Sequence, residues 1–202
     1  MRIKAFEQGE LFTNCYIVYN ESRHAFCVDV SECLGIEYFN FIIQNNLTVD
    51  YLFLTHGHYD HCGDIQRFHK YFPNAKIVIS RKDYENILHS TDVFCPVEEF
   101  VNPDFLVEEG DCFDVLEKSL TVMETPGHTS GSICFVLDDC IFCGDTVFRG
   151  SIGRSDLATG SFFEILNSLK RVLEKGDYKL YPGHMKATDT KRELRNNPYY
   201  KC

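Results

Sequence analysis

Short apolar runs broken by polar turns dominate the first third of the chain. Residues 2–7, 14–20 and 24–30 read as strands separated by Gly9, Asn20, Glu21 and Ser22. Leu34, Tyr38, Phe41 and Ile42 then recur at helical spacing and predict a helix over 32–45. A buried strand over 49–55 follows. Ile65, Phe68 and Phe72 share one face of a helix expected over 61–72, and 76–80 is again strand-like. Ser80 and Asp83 form an S-x-x-D start for a helix over 81–89. Residues 91–111 carry Pro96, Pro103 and Gly110 without periodicity, and an irregular stretch of that length is often functional. Strand patterns return at 112–116, 120–125, 132–138 and 140–146. Ser161 and Glu164 open a helix with Ile165, Leu166, Leu169, Val172 and Leu173 on one stripe, stopping at Gly176. Strand 178–182 and a short polar helix from about residue 188 complete the pattern. Blocks of strands followed by helices predict an α/β architecture, two sheets packed together with helices outside.

Composition narrows the partners more than the fold. The 202 residues suit one domain over 1–202, with 44% apolar and 25% charged residues. A net charge of -10 argues against non-specific binding to nucleic acid or an anionic membrane, which needs a basic footprint. No apolar run approaches a membrane span, and no secretory apolar region precedes Glu7, so a reducing cytoplasm is expected. The ten cysteines are scattered through apolar strands (Cys15, Cys27, Cys134 and Cys140 among them), which suits reduced, buried thiols rather than a disulfide framework. Cys140-Ile141-Phe142-Cys143 has redox spacing but lies in a strand, where the two thiols face opposite sides. Cys62 adjoins His61 and is read as a packing residue.

The chemistry is concentrated in Thr55-His56-Gly57-His58-Tyr59-Asp60-His61, three imidazoles and a carboxylate within six residues. Such a cluster has little structural use, and imidazole with carboxylate is a donor set that zinc and iron accept. It falls on a strand-to-helix turn. Three other strand ends carry ligand-type residues: His128 in Thr-Pro-Gly-His, Asp145 after the apolar strand ending in Gly144, and His184 in Tyr-Pro-Gly-His. Each is weak alone. Together they bring the total to five histidines and two aspartates, enough for two metals sharing a carboxylate. His24, His69 and His89 fall outside this pattern.

At these residues the chain resembles the metallo-β-lactamase superfamily, and within it the single-domain glyoxalase II group of hydroxyacylglutathione hydrolases. The resemblance covers nearly the whole chain, through Thr-His-Gly-His-Tyr-Asp-His, Thr-Pro-Gly-His-Thr, Gly-Asp-Thr-Val-Phe, Gly153-Arg154-Ser155-Asp156-Leu157 and Tyr-Pro-Gly-His. It implies an αββα sandwich of two mixed sheets with a dinuclear site at one edge. It also implies that His56, His58 and His128 hold one metal, that Asp60, His61 and His184 hold the other, and that Asp145 bridges. Two divalent ions are expected, zinc first, with iron or manganese as alternatives. Asp60 would also orient the nucleophile.

Two such ions lower the pKa of a shared water from about 15.7 to near 7. The motifs supply no separate general acid, which suits a thioester, because a thiolate of pKa about 8.5 leaves without protonation. The expected partner is therefore a small-molecule thioester, acted on by a monomer or small homo-oligomer. Arg154 matches a basic position near the glutathione moiety in related glyoxalases, and Lys186 stands where those enzymes often carry tyrosine. Both are candidate substrate contacts; for Arg154 a salt bridge with Asp156 is the alternative. The extra C-terminal helical region of the full-length glyoxalases has no counterpart before Cys202, which leaves other thioesters and esters open. A cysteine ligand of the β-lactamase kind, the glutamate of the flavodiiron oxidoreductases and the basic modules of RNA-processing relatives are all missing from the motifs. The competing reaction class is a persulfide dioxygenase with one iron on His56, His128 and Asp145. A non-enzymatic metal-binding module is the third reading.

Overall fold

The structure is a computed structural model that describes residues 1–89 and 93–201. Strands β1 (Arg2–Gln8), β2 (Thr13–Tyr19), β3 (His24–Val28), β4 (Thr48–Phe53), β5 (Lys76–Ser80) and β6 (Phe105–Val107) form one six-stranded sheet in chain order. The first three pair antiparallel and the remainder parallel, so the sheet is mixed. The second sheet has the order β12-β11-β10-β9-β8-β7, built from β7 (Cys112–Val115), β8 (Lys118–Glu124), β9 (Ile133–Leu137), β10 (Cys140–Gly144), β11 (Lys179–Pro182) and β12 (Thr188–Asp189). Only β10 and β11 pair parallel there.

Strand alternation builds the layers. Tyr16, Val18, Phe26, Val28 and Phe53 point between the sheets, where they meet Leu120, Phe135 and Phe142. Their neighbours Cys15, Ile17, Ala25 and Cys27 point the other way. There they pack under α1 (Ile36–Gln44), α3 (Ile65–Tyr71) and α4 (Arg81–His89), through Tyr38, Phe39, Ile42, Ile65, Phe68 and Ile87. On the far side Ile165, Leu169, Val172 and Leu173 of α5 (Phe162–Leu173) cover the second sheet. Their spacing of three and four residues is the stripe read from the sequence, and Ser161 caps the helix by accepting from the Glu164 N–H. Helix, sheet, sheet, helix is the observed stacking.

Four sequence expectations are revised. The helix expected over 61–72 is two pieces, α2 (Tyr59–Cys62) and α3, because Val30 N–H takes the His61 carbonyl at 2.8 Å and removes it from the helical ladder. The helix expected from 32 begins at Ile36. The irregular 91–111 stretch, whose residues 91 and 92 lie outside the described residues, contains β6, held against β5 by Asp104, which bonds both ways with Ile77. The final polar helix α6 (Thr190–Asn196) is preceded by the two-residue β12.

The nine described cysteines are all free. Cys143 packs in the α5 layer while its neighbour Phe142 faces between the sheets, so Cys140 and Cys143 do lie on opposite faces. No helix among the described residues is long and apolar enough to cross a membrane.

Candidate metal centre

Strand ends from both sheets meet at one edge of the sandwich. Beyond β4 the chain runs through Thr55 into the His56–His61 turn. The segment between β8 and β9 presents His128, β10 delivers Asp145 and β11 delivers His184. The two sheets are stitched together here: Ile133 N–H donates to Thr55 O at 3.0 Å, and Asn14 N–H donates to Gly183 O at 2.7 Å. Tyr16 donates its hydroxyl to Pro182 O at 2.6 Å. Glycine is required at two of these turns. Gly144 has φ +44°, and a Cβ there would lie 2.6 Å from Thr55 Oγ1; a Cβ on Gly183 would press on Asp145 Oδ1 and His61 Cε1.

All seven side chains expected at the site converge. His128 Nε2 lies 3.2 Å from His56 Nε2 and 2.9 Å from His58 Nδ1. Asp60 Oδ2 lies 3.4 Å from His61 Nε2 and 3.2 Å from His184 Nε2, and those two nitrogens are 3.4 Å apart. Asp145 sits between the groups, with Oδ2 3.5 Å from His128 Nε2 and 3.4 Å from His184 Nε2, and Oδ1 3.3 Å from His61 Nε2. Tetrahedral ligands at the usual zinc–nitrogen distance of about 2.0–2.1 Å are roughly 3.3 Å apart, so these spacings fit donors gathered around cations. The sets His56/His58/His128 and His61/Asp145/His184 each have the geometry to hold an ion. Asp145 Oδ1 is buried without an aligned hydrogen bond, the condition a cation relieves.

Titration divides the cluster in the same way. Burial, reinforced by His61 and His128, pushes His56 well below the ordinary histidine range, and burial with the facing His128 takes His58 to about 3. These imidazoles present lone pairs. Burial opposes charge on His61 and His184 too, but Asp60 and Asp145 overcome it, raising His61 and taking His184 to about 9. Burial acts against ionised Asp60 and Asp145 as well; the histidines beside them win, holding Asp145 well below the carboxylate range and Asp60 at about 2. In the metal-free protein, protons on His61 and His184 supply the positive charge that the aspartates demand. The donor set fits divalent ions.

The outer nitrogens are mostly fixed. His61 Nδ1–H donates to Asp29 Oδ2 at 2.8 Å, His128 Nδ1–H to Arg154 O at 2.7 Å and His184 Nδ1–H to Leu11 O at 3.1 Å. Each leaves Nε2 directed inward. Asp29 and Asp83 are supporting residues that sequence reasoning missed. Asp29 also accepts from Thr55 N–H and Thr55 Oγ1, both at 2.8 Å. Asp83, read only as part of a helix start, is fully buried. It accepts from Gly57 N–H, Thr129 Oγ1, Gly131 N–H and Asn86 Nδ2, tying the first histidine turn to the turn that carries His128. An acid closing the apolar run before Val30 was the available signal for Asp29; Asp83 had none.

A cavity of about 1130 Å³ opens onto the cluster. His58, Asp60, His128, Asp145 and His184 form its floor, and Leu11, Tyr59, Val93, Phe148 and Leu157 contribute apolar wall. Arg154 is in the lining, with Nε and Nη2 donating to Asp156 at 2.8 and 2.9 Å. Lys186 is exposed and outside the lining. His24, His69 and His89 lie away from the cluster, His24 against Asp50 at 2.8 Å.

The profile of the Metallo-beta-lactamase superfamily matches residues 9–184. Hydroxyacylglutathione hydrolase 1 of Vibrio vulnificus (strain YJ016) is 31% identical over 176 residues, which make up 86% of this chain and 62% of that protein. The chain thus spans less than two thirds of that relative. Among solved structures, ETHE1 from Myxococcus xanthus is 26% identical with a TM-score of 0.82, covering 98% of this chain and 84% of that one. TTHA1623 in a di-iron-bound form is 26% identical with a TM-score of 0.82, covering 97% of this chain and 99% of that one.

Proposed function

The chain belongs to the metallo-beta-lactamase superfamily, and we propose that it is a dinuclear metal-dependent hydrolase of the hydroxyacylglutathione hydrolase type, acting on a small-molecule thioester. The observation that carries this reading is the meeting of two ligand triads across one carboxylate, Asp145. The likeness to the Vibrio vulnificus hydrolase supports the reaction class. His56, His58 and His128 are the residues for one ion, Asp60, His61 and His184 for the other, with Asp145 shared. Zinc suits these donors, as do iron and manganese. Two such ions supply an activated water at neutral pH and polarise a carbonyl.

The chain's own residues do the positioning. Asp29, Arg154 O and Leu11 O fix three imidazoles in the tautomer that donates inward. Asp60, steadied by a hydrogen bond from Thr13 Oγ1 at 3.2 Å, borders both the cluster and the cavity, where it orients a water toward substrate. Leu11, Val93, Phe148 and Leu157 supply apolar wall beside the bond to be cleaved. The thiolate product needs no proton to depart, in keeping with sequence motifs that supply no separate acid. Free cysteines suit a reducing compartment, and we assign the protein to the cytoplasm.

A persulfide dioxygenase is the second reading, because His56, His128 and Asp145 meet one another and suffice for a single iron. Purified protein assayed for metal content, S-lactoylglutathione hydrolysis and oxygen uptake with glutathione persulfide separates the two. Two metals with hydrolysis support the hydrolase. One iron with oxygen uptake overturns it.

A further inference from the structure

The walls of the cavity carry a charge pattern opposite to the one an anionic substrate requires. Glu10 and Glu32 both line it, and the Glu10 carboxylate has no partner among the described residues. Glu32 is fixed: Oε1 accepts the Glu10 N–H at 2.7 Å and Oε2 accepts the Ser31 hydroxyl at 2.6 Å. The Tyr59 ring joins the same lining. Two carboxylates beside an aromatic face are the surroundings an ammonium group prefers. Arg154 is the one arginine or lysine among the described lining residues, and the Nε–Nη2 edge of its guanidinium is already paired with Asp156. Arg149 and Lys186 are exposed and lie outside the lining.

Resting on the proposed thioester hydrolysis, we infer that the site selects thioesters whose thiol half carries an ammonium group, read by Glu10, Glu32 and Tyr59, over those whose thiol half carries a carboxylate and no ammonium. This reading gives the selection to other residues than Arg154 and Lys186, the candidate substrate contacts read from the sequence. A substrate anion would meet an Arg154 whose charge Asp156 already offsets, and would face two like charges; an ammonium meets an unpaired Glu10 and a Glu32 already in position.

The test uses the metal-loaded protein and three acetyl thioesters that differ in the thiol half: acetylthiocholine (cationic), S-acetyl-N-acetylcysteamine (neutral) and S-acetyl-3-mercaptopropionate (anionic). The expected order of kcat/KM is cationic, neutral, anionic, with about tenfold or more between the ends, the size of one ion pair with a cation–π contact, since the quaternary ammonium has no N–H to donate. The gap narrows as salt is added. Glu10→Lys, at an exposed turn position that contributes only its backbone N–H to the fold, should reduce the cation-to-anion ratio at least about tenfold, and Glu10→Gln should fall between. A wild-type ratio at or below one, or a ratio that Glu10→Lys leaves unchanged, overturns the inference while leaving thioester hydrolysis standing. Failure to hydrolyse any thioester counts against the hydrolase itself. The charge preference is then read from calorimetric affinities of thiocholine and 3-mercaptopropionate, whose shared thiol cancels in the comparison, and equal affinities overturn it.

Discussion

Replacing Asp29 with asparagine keeps the shape of the side chain and removes the charge that holds His61. In the parent, Asp29 Oδ2 receives His61 Nδ1–H and the Thr55 hydroxyl, while Oδ1 receives Thr55 N–H. Asparagine offers one oxygen and an NH₂ group, so one of these donors must face another donor. If the amide faces His61, the imidazole has to move its proton to Nε2, which is the atom directed at Asp60 and Asp145. Loss of such an outer partner typically lowers metal affinity about 10- to 100-fold, roughly 1.4–2.7 kcal/mol. The effect should fall on the ion held by Asp60, His61 and His184, because the His128 partner, Arg154 O, is untouched. Thr55 also lies 3.1 Å from His56 Nδ1, so the other ion should feel a smaller loss. Chelator competition against the fully loaded protein, followed as two release steps, reads both affinities. Equal losses at both ions, or affinities within twofold of the parent, would refute the assignment of Asp29 as the support of one particular ligand.

Asp145→Asn should weaken both ions together, since two anionic oxygens are needed to bridge; equilibrium dialysis that returns two ions at parental affinity would remove the bridge. Asp83→Asn sets an amide NH₂ among four donors, three of them buried, and should lower unfolding stability by about 1.5–3 kcal/mol in urea titrations; an unchanged midpoint would show that the two histidine turns hold together without it. His184, raised to about 9 from 6.5, adds stability to the metal-free protein that is complete below pH 6.5 and disappears as pH rises through 9. Metal uptake at pH 7.5 should therefore expel at least about one proton, measured by calorimetry in two buffers of different protonation enthalpy, and uptake without proton release would contradict the charge balance described for the site.

The parts of the fold legible in the sequence were those written in local periodicity. The α5 stripe, the alternation of β2 and β3 and the break at Gly144 before Asp145 all appear as patterns within a few residues. The ligand residues stood out because three imidazoles share one turn and the remaining donors end strands. Interactions across long separations left no such trace. Asp83 meets residues 26 to 48 positions away, and as a sequence position it looked like a helix cap. The β6 strand is three residues long and depends on Asp104 reaching Ile77. The split between α2 and α3 depends on Val30, thirty-one residues before His61. The charge of the cavity wall was equally hidden, because Glu10 and Glu32 belong to turns that only the folded chain brings together.

The most direct test of the dinuclear centre is anomalous diffraction from crystals of the metal-loaded protein. The account predicts two peaks about 3.5–4 Å apart, one contacted by His56, His58 and His128, the other by Asp60, His61 and His184, with Asp145 touching both. A single peak bounded by His56, His128 and Asp145, with Asp60 and His184 turned away from it, would contradict the account.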